Sequence, residues 1–566
     1  MRIGIDIGGT HTDGVLIAGT RLVAAAKAPT NHDNLLESIS AVLQAILTDQ
    51  DPARVQTLNL STTLTTNAIV TGRIDPVGML VVGGPGIAAK HYRIGEHFHL
   101  IYGSLDHLGT ETSALDEQDL EEAINACCDQ GVKCFGVASK FSPRNPAHED
   151  RIREELGDRA DFVSLGHLIS GQLNFGRRIH TVYYNSAVWR TFRAFAGALA
   201  ASLQGFNLQA EVNILKADGG AVPLTRAMDA PVQSIFSGPA ASVMGILATC
   251  TADADLLMLD IGGTTSDIAL FAGGEPLLER EGIAIEGRPT LVRAIRVESI
   301  GIGGDSLIHL DGAEVKTGPQ RLGPCMATGG SAPSLMDALN VLGLADFGQT
   351  ERSRDGLETL AAQHHLEVRA LAQAAMDAAL NAIAAKIETL VRMVNAKPVY
   401  TIHEILEDRE ITPKKLIVIG GPAAVFKDLL ATRLGMEVIV PSLHGVANAI
   451  GAALARATSH LALTANTSRG QLSAPMLGVF RAIPRGFSLQ DATDEARRLL
   501  KADLEQAGVT IAAEEIQITQ ADAFNMVDGS YTSGKNIRVV AQVRPAVVAR
   551  LELDAAAVPV RLAGQS

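Results

Sequence analysis

One short segment occurs twice in this chain, and the repetition limits what the chain can fold into. The first copy, IGIDIGGTHTDGVLI, begins at Ile3, and the second, LMLDIGGTTSDIALF, begins at Leu257. In both copies, apolar residues alternate with small or polar residues on either side of a glycine pair, which is typical of a strand, a tight turn and a returning strand. The sequence therefore predicts two β-hairpins of one design.

The positions that match between the hairpins indicate phosphate binding. A glycine pair lets the backbone approach an anion and direct N–H groups toward it, and a following threonine adds a hydroxyl donor. These residues are Gly8, Gly9 and Thr10 in the first copy and Gly262, Gly263 and Thr264 in the second, where Thr265, at the position of His11 in the first copy, is a further member of the clamp. One such turn alone would indicate only a tight hairpin. Its repetition at identical spacing favours two clamps that hold one nucleotide from opposite sides.

Two aspartates accompany each predicted clamp. Asp6 and Asp260 precede the glycine pairs, where a carboxylate would repel a polyphosphate unless a cation lay between them. We therefore interpret Asp6 and Asp260 as residues that hold Mg²⁺, mainly through its water ligands. Asp13 and Asp267 follow the turns. They are either further nucleotide-site residues or caps for backbone N–H groups.

Two other glycine-rich segments are candidates for the same site. Residues 417–423, IVIGGPA, have the pattern of a strand followed by the start of a helix, so Gly420 and Gly421 could pack against an adenosine or an α-phosphate. In SIGIGGDSLI, which begins at Ser299, Gly303 and Gly304 could also contact the nucleotide. Ordinary structural turns are the alternative for both segments.

Composition excludes several classes of protein. The chain has 566 residues, of which 47% are hydrophobic, so we expect more than one domain. Its net charge of -14 disfavours nucleic acid as a partner. The five cysteines form no C-x-x-C pair, which argues against a disulfide framework and a zinc knuckle. No secretory leader or membrane-spanning run is evident, and we expect a soluble cytoplasmic protein with no membrane contact.

The remaining patterns indicate alternating helices and strands. LLESISAVLQAIL from Leu35 and the apolar positions between Met376 and Val394 predict helices, the second ending near Asn395 because Pro398 follows. GVANAIGAALAR from Gly445 predicts a small-residue helix suited to close packing. EEIQIT and NIRVVAQV predict strands in a C-terminal α+β region. We place domains at residues 1–185, 186–460 and 461–566.

With these motifs in place, the chain resembles a known family. The two D-I-G-G-T hairpins followed by a distal I-G-G turn resemble the ATPase fold of actin, hexokinase and Hsp70. STTLTTNAIVTGR at Ser61, SGPAASVMG at Ser237 and LGPCMATGGSAPSLMDALNVLG at Leu322 look like the hydantoinase A and 5-oxoprolinase family. The resemblance covers residues 2 to about 454. It implies a two-lobed actin-like (ribonuclease H-like) α/β fold, with a hydantoinase/oxoprolinase-type N-terminal lobe and a hydantoinase A-type second lobe.

The same resemblance implies a function. Family members of this type open a cyclic amide, such as a hydantoin or 5-oxoproline, at the expense of ATP: the ring carbonyl oxygen takes the γ-phosphoryl group, and water then attacks the activated carbon. The cofactors implied are ATP and Mg²⁺, which fits the need of phosphoryl transfer for positioning and charge neutralisation. The resemblance also implies that Asp6 and Asp260 are the catalytic residues, which organise Mg²⁺ or the attacking group. A separate hydantoinase B-type subunit is the implied partner, and a homo-oligomer stays open.

Two other functions remain as alternatives. A subunit of a ketone-type carboxylase would resemble the same family, and an ATP-driven clamp that moves a partner would share the fold. The chain departs from the family pattern at His11, where an aromatic residue is usual, and at Met326, where a tyrosine is usual. We assign no metal to the histidines His91, His97 and His99. Cys325 lacks an evident histidine partner, which favours packing over a role as nucleophile.

Overall fold

The first hairpin forms the centre of a seven-stranded sheet. The computed structural model describes residues 1–252, 254–396, 410–528, 531–552 and 558–563. In spatial order the strands of this sheet are Ala221–Pro223, Glu211–Leu215, Thr57–Thr62, Arg2–Ile7, His11–Ala18, Arg21–Pro29 and Val560–Leu562. Arg2–Ile7 and His11–Ala18 pair antiparallel, whereas Thr57–Thr62 runs parallel to Arg2–Ile7. The alternating isoleucines of Arg2–Ile7 are buried against helices Leu35–Leu47 and Phe175–Gly205.

The second hairpin occupies the equivalent place in a six-stranded sheet. Its strands are Glu275–Pro276, Ser266–Ala272, Leu256–Ile261, Lys415–Ile419 and Glu437–Ile439, with Val297–Ile300 also paired to Ser266–Ala272. The hairpin is again antiparallel, and Lys415–Ile419 runs parallel to its first strand. Four helices pack on one face: Leu335–Leu342, Thr350–Gln363, Val368–Asn395 and Ala423–Leu434. The two sheets therefore repeat one arrangement of strands around the hairpin.

One helix, Ala447–Leu454, joins the two halves, and we call it the shared helix. A β-carbon on Gly4 of the first hairpin would lie 2.0 Å from the carbonyl oxygen of Ala449. On another side, a β-carbon on Gly451 would lie 2.0 Å from the carbonyl oxygen of Ala241, in helix Ser237–Thr249. Backbones approach this closely only where side chains are absent. The small residues of the shared helix therefore let it lie directly against both neighbours.

Two further sheets complete the described structure. Phe162–Leu165, Cys134–Ser139, Val77–Val82 and His97–Leu100 form a parallel sheet with helices Glu117–Asp129 and Ala147–Leu156. The C-terminal sheet has the order Val479–Ala482, Gln471–Ala474, His460–Asn466, Tyr531–Val543 and Ile516–Asp528, and it packs against helix Leu489–Gln506. Shorter strands are Ser104–Leu105, Glu111–Ser113, Leu278–Glu279, Ala284–Ile285, Arg288–Pro289, Ala294–Ile295, Ile308–Asp311 and Glu314–Thr317, and shorter helices are Leu64–Val70, Gly166–Ile169 and Leu224–Ala227.

Most of the predicted elements are confirmed. Both hairpins form, Leu35–Leu47 is a helix, and Val368–Asn395 ends where the apolar pattern stops. Pro398 lies outside the described residues. The two strands predicted in the C-terminal region are Ile516–Asp528 and Tyr531–Val543. Within the described ranges, no helix is long and apolar enough to cross a membrane.

The boundary predicted between residues 185 and 186 does not coincide with a change of sheet. Helix Phe175–Gly205 runs through it without a break. Beyond the helix, Glu211–Leu215 extends the first sheet by pairing parallel with Thr57–Thr62, and Ala221–Pro223 follows at the edge. Ile214 is buried in the same core as the first hairpin. The chain therefore passes to the second sheet only after Pro223. The division into three domains stays a prediction.

Close packing at the shared helix predicts that Gly451→Ala destabilises the protein. The new methyl group would overlap the Ala241 carbonyl, and the required backbone shift costs about 1–3 kcal/mol. Gly445→Ala is the matched control, because a β-carbon there meets nothing within 4 Å. Thermal unfolding should show a lower midpoint for Gly451→Ala than for Gly445→Ala. Equal midpoints would contradict the close contact.

Candidate functional site

The two predicted clamps have the same local geometry. In the first turn, the N–H of Gly8 donates to the carbonyl oxygen of His11 at 3.0 Å. In the second, the N–H of Gly262 donates to the carbonyl oxygen of Thr265, also at 3.0 Å. Asp6 lies opposite Asp13 across the first hairpin, and Asp260 lies opposite Asp267 across the second. The sequence repeat is therefore a repeat of structure.

The tips of the two turns meet. A β-carbon on Gly263 would lie 2.8 Å from Oγ1 of Thr10, so the second turn directly contacts the first. A β-carbon on Gly9 would meet nothing within 4 Å. Within the described ranges, the hydroxyl groups of Thr10 and Thr264 make no hydrogen bond to the protein. Two hydroxyl groups without a hydrogen-bond partner thus lie where the two turns meet, next to Gly9, which has empty space where a side chain would be.

The loop at residues 301–306 donates backbone hydrogen bonds to the second turn. The N–H of Gly304 donates to the carbonyl oxygen of Gly262 at 2.9 Å, and the N–H of Asp305 donates to that of Gly263 at 2.7 Å. The N–H of Gly303 donates to Oγ of Ser306. Because the N–H groups of Gly303 and Gly304 are already engaged within the protein, the geometry favours the structural alternative for this loop. Nucleotide contact by these two glycines stays a prediction.

The turn at Gly420 lies beside Asp260. Gly420 has a φ of +99°, and a β-carbon there would lie 2.2 Å from the carbonyl oxygen of Ile261 and 2.8 Å from Oδ1 of Asp260. Its N–H donates to the carbonyl oxygen of His444 at 3.1 Å. A β-carbon on Gly421 would meet nothing within 4 Å. The structure therefore brings the third predicted glycine segment to the second hairpin, where helix Ala423–Leu434 begins.

The four aspartates have different environments. Asp260 is held in place, because its Oδ2 accepts hydrogen bonds from Oγ of Ser242 at 2.6 Å and Nδ2 of Asn448 at 3.1 Å. Asp6 is also buried, but its Oδ1 has no hydrogen-bond partner among the residues that the structure describes. Asp13 forms an ion pair of 2.5 Å with Lys27. A buried acceptor without a partner is costly, so Asp6 is the carboxylate most in need of a ligand.

Burial changes the acidity of these groups. Desolvation, followed by the charges of Asp13 and Asp260, raises the pKa of Asp6 to about 7. Desolvation also raises the pKa of Asp260. For Asp267, desolvation with the neighbouring charge of Asp260 raises the pKa to about 7, although Oγ of Ser299 donates a hydrogen bond to it. A bound cation would offset the repulsion and favour the charged forms.

Several residues of this site were not predicted. Lys27 reaches Asp13 from the neighbouring strand Arg21–Pro29, and no local motif indicates that contact. Asp305 accepts hydrogen bonds from Nη2 of Arg321 and the N–H of Cys325. Asn448 could have been identified from the sequence, because it is a polar residue within an otherwise small and apolar helix pattern.

The remaining candidates take structural positions. Cys325 is buried, and burial raises the pKa of its thiol, which fits the packing role preferred from the sequence. His97 and His99 lie on the edge strand of the parallel sheet, and His91 lies in the short turn Ala89–Tyr92. Over the described ranges, no group of three or more His, Cys, Asp or Glu side chains is arranged to hold a metal ion.

Comparisons with known proteins agree with this arrangement. Caprolactamase subunit alpha of Pseudomonas jessenii is 28% identical over 491 residues, covering 78% of this chain and 68% of that protein. The acetophenone carboxylase gamma subunit of Aromatoleum aromaticum is 25% identical over 391 residues, covering 60% of this chain and 53% of that protein. The chain thus spans about half to two thirds of the length of these relatives.

Solved structures share the fold. Nucleotide-free acetone carboxylase superposes with a TM-score of 0.67 at 17% identity, covering 96% of this chain and 87% of that one. ATP-dependent caprolactamase from Pseudomonas jessenii superposes with a TM-score of 0.67 at 20% identity, covering 98% and 88%. The predicted fold class, an α/β fold of the two-lobed actin-like (ribonuclease H-like) type with a C-terminal α+β region, is confirmed.

Family patterns cover most of the chain. The hydantoinase/oxoprolinase pattern matches residues 178–460, and the hydantoinase/oxoprolinase N-terminal region pattern matches residues 2–159. These matches include both hairpins and the Gly420 turn. The chain belongs to the hydantoinase/oxoprolinase family.

Proposed function

We propose that this chain is the ATP-using subunit of an enzyme that opens a cyclic amide. The observation that carries the proposal is the meeting of two identical turns at Thr10 and Gly263, beside the buried carboxylates Asp6 and Asp260. The family membership supports it, as does the likeness to a caprolactamase, a protein named for action on a cyclic amide. Hydantoins, 5-oxoproline and other lactams are the substrate class.

The residues at the turns fit Mg²⁺–ATP. The unpartnered Oδ1 of Asp6 offers a buried anionic acceptor, and the hydroxyls of Thr10 and Thr264 offer donors at the meeting point of the lobes. Mg²⁺ usually takes one or two protein carboxylates and completes its shell with water and phosphate oxygens. Asp6 and Asp260 match that requirement without a larger cluster of protein ligands.

Each part of the site has a role in the proposed reaction. Mg²⁺–ATP would supply the phosphoryl group that activates the ring carbonyl oxygen. Gly8, Gly9 and Thr10 hold phosphate oxygens from the first lobe, and Gly262, Gly263, Thr264 and Thr265 hold them from the second. Ser242 and Asn448 fix the side chain of Asp260, so that its free Oδ1 keeps one orientation. Gly420 and Gly421 form the adenosine side in this proposal, and at Gly420 only glycine permits the approach to Asp260.

A carboxylase subunit is the second candidate. Its support is the structural likeness to acetone carboxylase, which has the same TM-score as caprolactamase, together with the likeness to the acetophenone carboxylase gamma subunit. The two reactions share the ATP-dependent activation of an oxygen and differ in the acceptor. Because relatives are named as subunits of larger enzymes, we also propose a B-type partner chain.

Phosphate release separates these functions. With Mg²⁺–ATP and the partner chain, we expect release to require a hydantoin, 5-oxoproline or another lactam. Asp260→Asn should lower the rate by about 10²-fold or more, because it removes a charge that organises the reacting groups. Asp311→Asn, which alters an exposed carboxylate paired with Lys316, is the matched control and should keep the full rate.

Two results of the same phosphate-release assay would contradict the cyclic-amide hydrolase. Release that depends on a ketone and bicarbonate, and not on any ring compound, would replace the hydrolase with the carboxylase. ATP binding without release in the presence of any acceptor would favour the ATP-driven clamp.

The acidity of Asp267 predicts a pH dependence of stability in nucleotide-free protein. Its folded-state pKa of about 7 lies above the ordinary value of 3.8, so the folded protein binds the proton more tightly than the unfolded chain does. The stability contributed by the protonated group is therefore lost as pH rises from about 4 to about 7. Asp267→Asn should flatten this fall in the thermal midpoint, whereas Asp428→Asn, at an exposed helix position, should not. Identical pH profiles for all three proteins would disprove the shift.

A further inference from the structure

A second group of charged side chains surrounds a small cavity away from the two hairpin turns, where residues from distant parts of the chain meet. Lys216 directly follows strand Glu211–Leu215, and His460 begins the C-terminal sheet. With Thr181, Asp218, Gln233 and Arg293, these residues line a cavity of about 20 Å³. A cavity needs about 10–15 Å³ to hold one water molecule, so this one has room for a single small particle.

The charges around the cavity do not balance. Lys216 and Arg293 carry positive charges, and Asp218 is the carboxylate that faces both. Asp218 already accepts three hydrogen bonds, from Nζ of Lys216 at 3.1 Å, the N–H of Gly220 at 3.0 Å and Oγ1 of Thr458 at 3.3 Å. Among these side chains, positive charges therefore exceed negative charges by one.

His460 does not supply the missing charge. Burial, followed by the charges of Arg293 and Lys216, lowers the pKa of His460 well below its ordinary value of 6.5. The imidazole is therefore neutral at neutral pH. A neutral ring can donate one hydrogen bond to a ligand in the cavity.

Several hydrogen-bond donors remain available at this cavity. The ammonium group of Lys216 has three N–H bonds, of which one is directed to Asp218. Nη2 of Arg293 donates to Oε1 of Gln542, and the rest of its side chain borders the cavity. The side-chain amide of Gln233 makes no hydrogen bond within the described ranges and offers two N–H donors and one carbonyl acceptor. An acceptor that carries negative charge would satisfy these groups.

We propose that this cavity binds one small monovalent inorganic anion, of the size of chloride or bicarbonate, held by Lys216 and Arg293. Buried charges are stable only when they are paired, and a cavity of this size has room for one small ion. The site lies two strands away from Asp6 on the first sheet, a distance of roughly 10 Å, so it is separate from the turns. The anion would connect the first sheet to the C-terminal sheet through Lys216 and His460.

Thermal unfolding of the full chain tests the proposal. Sodium gluconate, whose anion is too large for the cavity, is replaced by chloride or bicarbonate at constant ionic strength and pH. We expect a saturable rise of the midpoint by roughly 2 °C or more, because a ligand of the folded state stabilises it. The anion that saturates at the lower concentration identifies the natural occupant.

Variants separate binding from a general salt effect. Lys216→Met should abolish the rise, whereas Lys386→Met, which removes the distant ion pair with Glu298, should retain it. A rise of equal size in Lys216→Met, or no rise in the wild type, would overturn the proposal. If Lys216→Met does not fold, Arg293→Gln removes the other cation and should give the same loss.

Bromide provides a direct measurement on the unaltered protein. In crystals grown with bromide, the anomalous signal should place one ion within contact distance of Nζ of Lys216. Absence of a peak there in crystals that show bromide elsewhere would mean that the cavity holds water only, and the proposal would fail.

Discussion

Backbone contact at the shared helix determines how the two lobes face each other. Gly4 and Gly451 allow this helix to lie against the first hairpin and against helix Ser237–Thr249, with no side chain between them. Asn59 strengthens the attachment by donating to the carbonyl oxygen of Ala452 at 2.8 Å, near the end of the helix. From the same helix, Asn448 reaches Asp260 in the second hairpin. One short element therefore fixes the first sheet and orients a carboxylate of the second.

This arrangement explains why the site can tolerate so many buried acids. Carboxylates at the ends of two hairpins repel one another, and desolvation adds to the cost of their charges. A flexible junction would let the lobes separate and relieve the repulsion. Because the shared helix packs against both neighbours without intervening side chains, the carboxylates lie close together in this structure, and a bound cation would offset the cost of their charges. The packing of the shared helix thus contributes to the raised pKa values of the carboxylates in the site.

The sequence predicted what depends on local pattern. Both hairpins and the turn at Gly420 were found because strand alternation and glycine pairs are visible within a few residues. Lys27 was missed because it reaches Asp13 from a third strand, and the group around Lys216 was missed because its members come from distant segments. The predicted boundary at residue 185 lies inside helix Phe175–Gly205, and a helix pattern gives no sign of which sheet the chain joins next, so the domain division stays a prediction. Contacts set by tertiary packing lie beyond such patterns.

The position of the last described strand affects how the protein is made. Val560–Leu562 pairs with Arg21–Pro29 and forms the outer edge of the sheet that the first residues begin. An edge strand without a neighbour exposes N–H and C=O groups that can pair with another chain. During synthesis, the first sheet therefore keeps that edge open until residues 560–562 have been made. The strands at its centre are thus synthesised long before the strand that covers this edge.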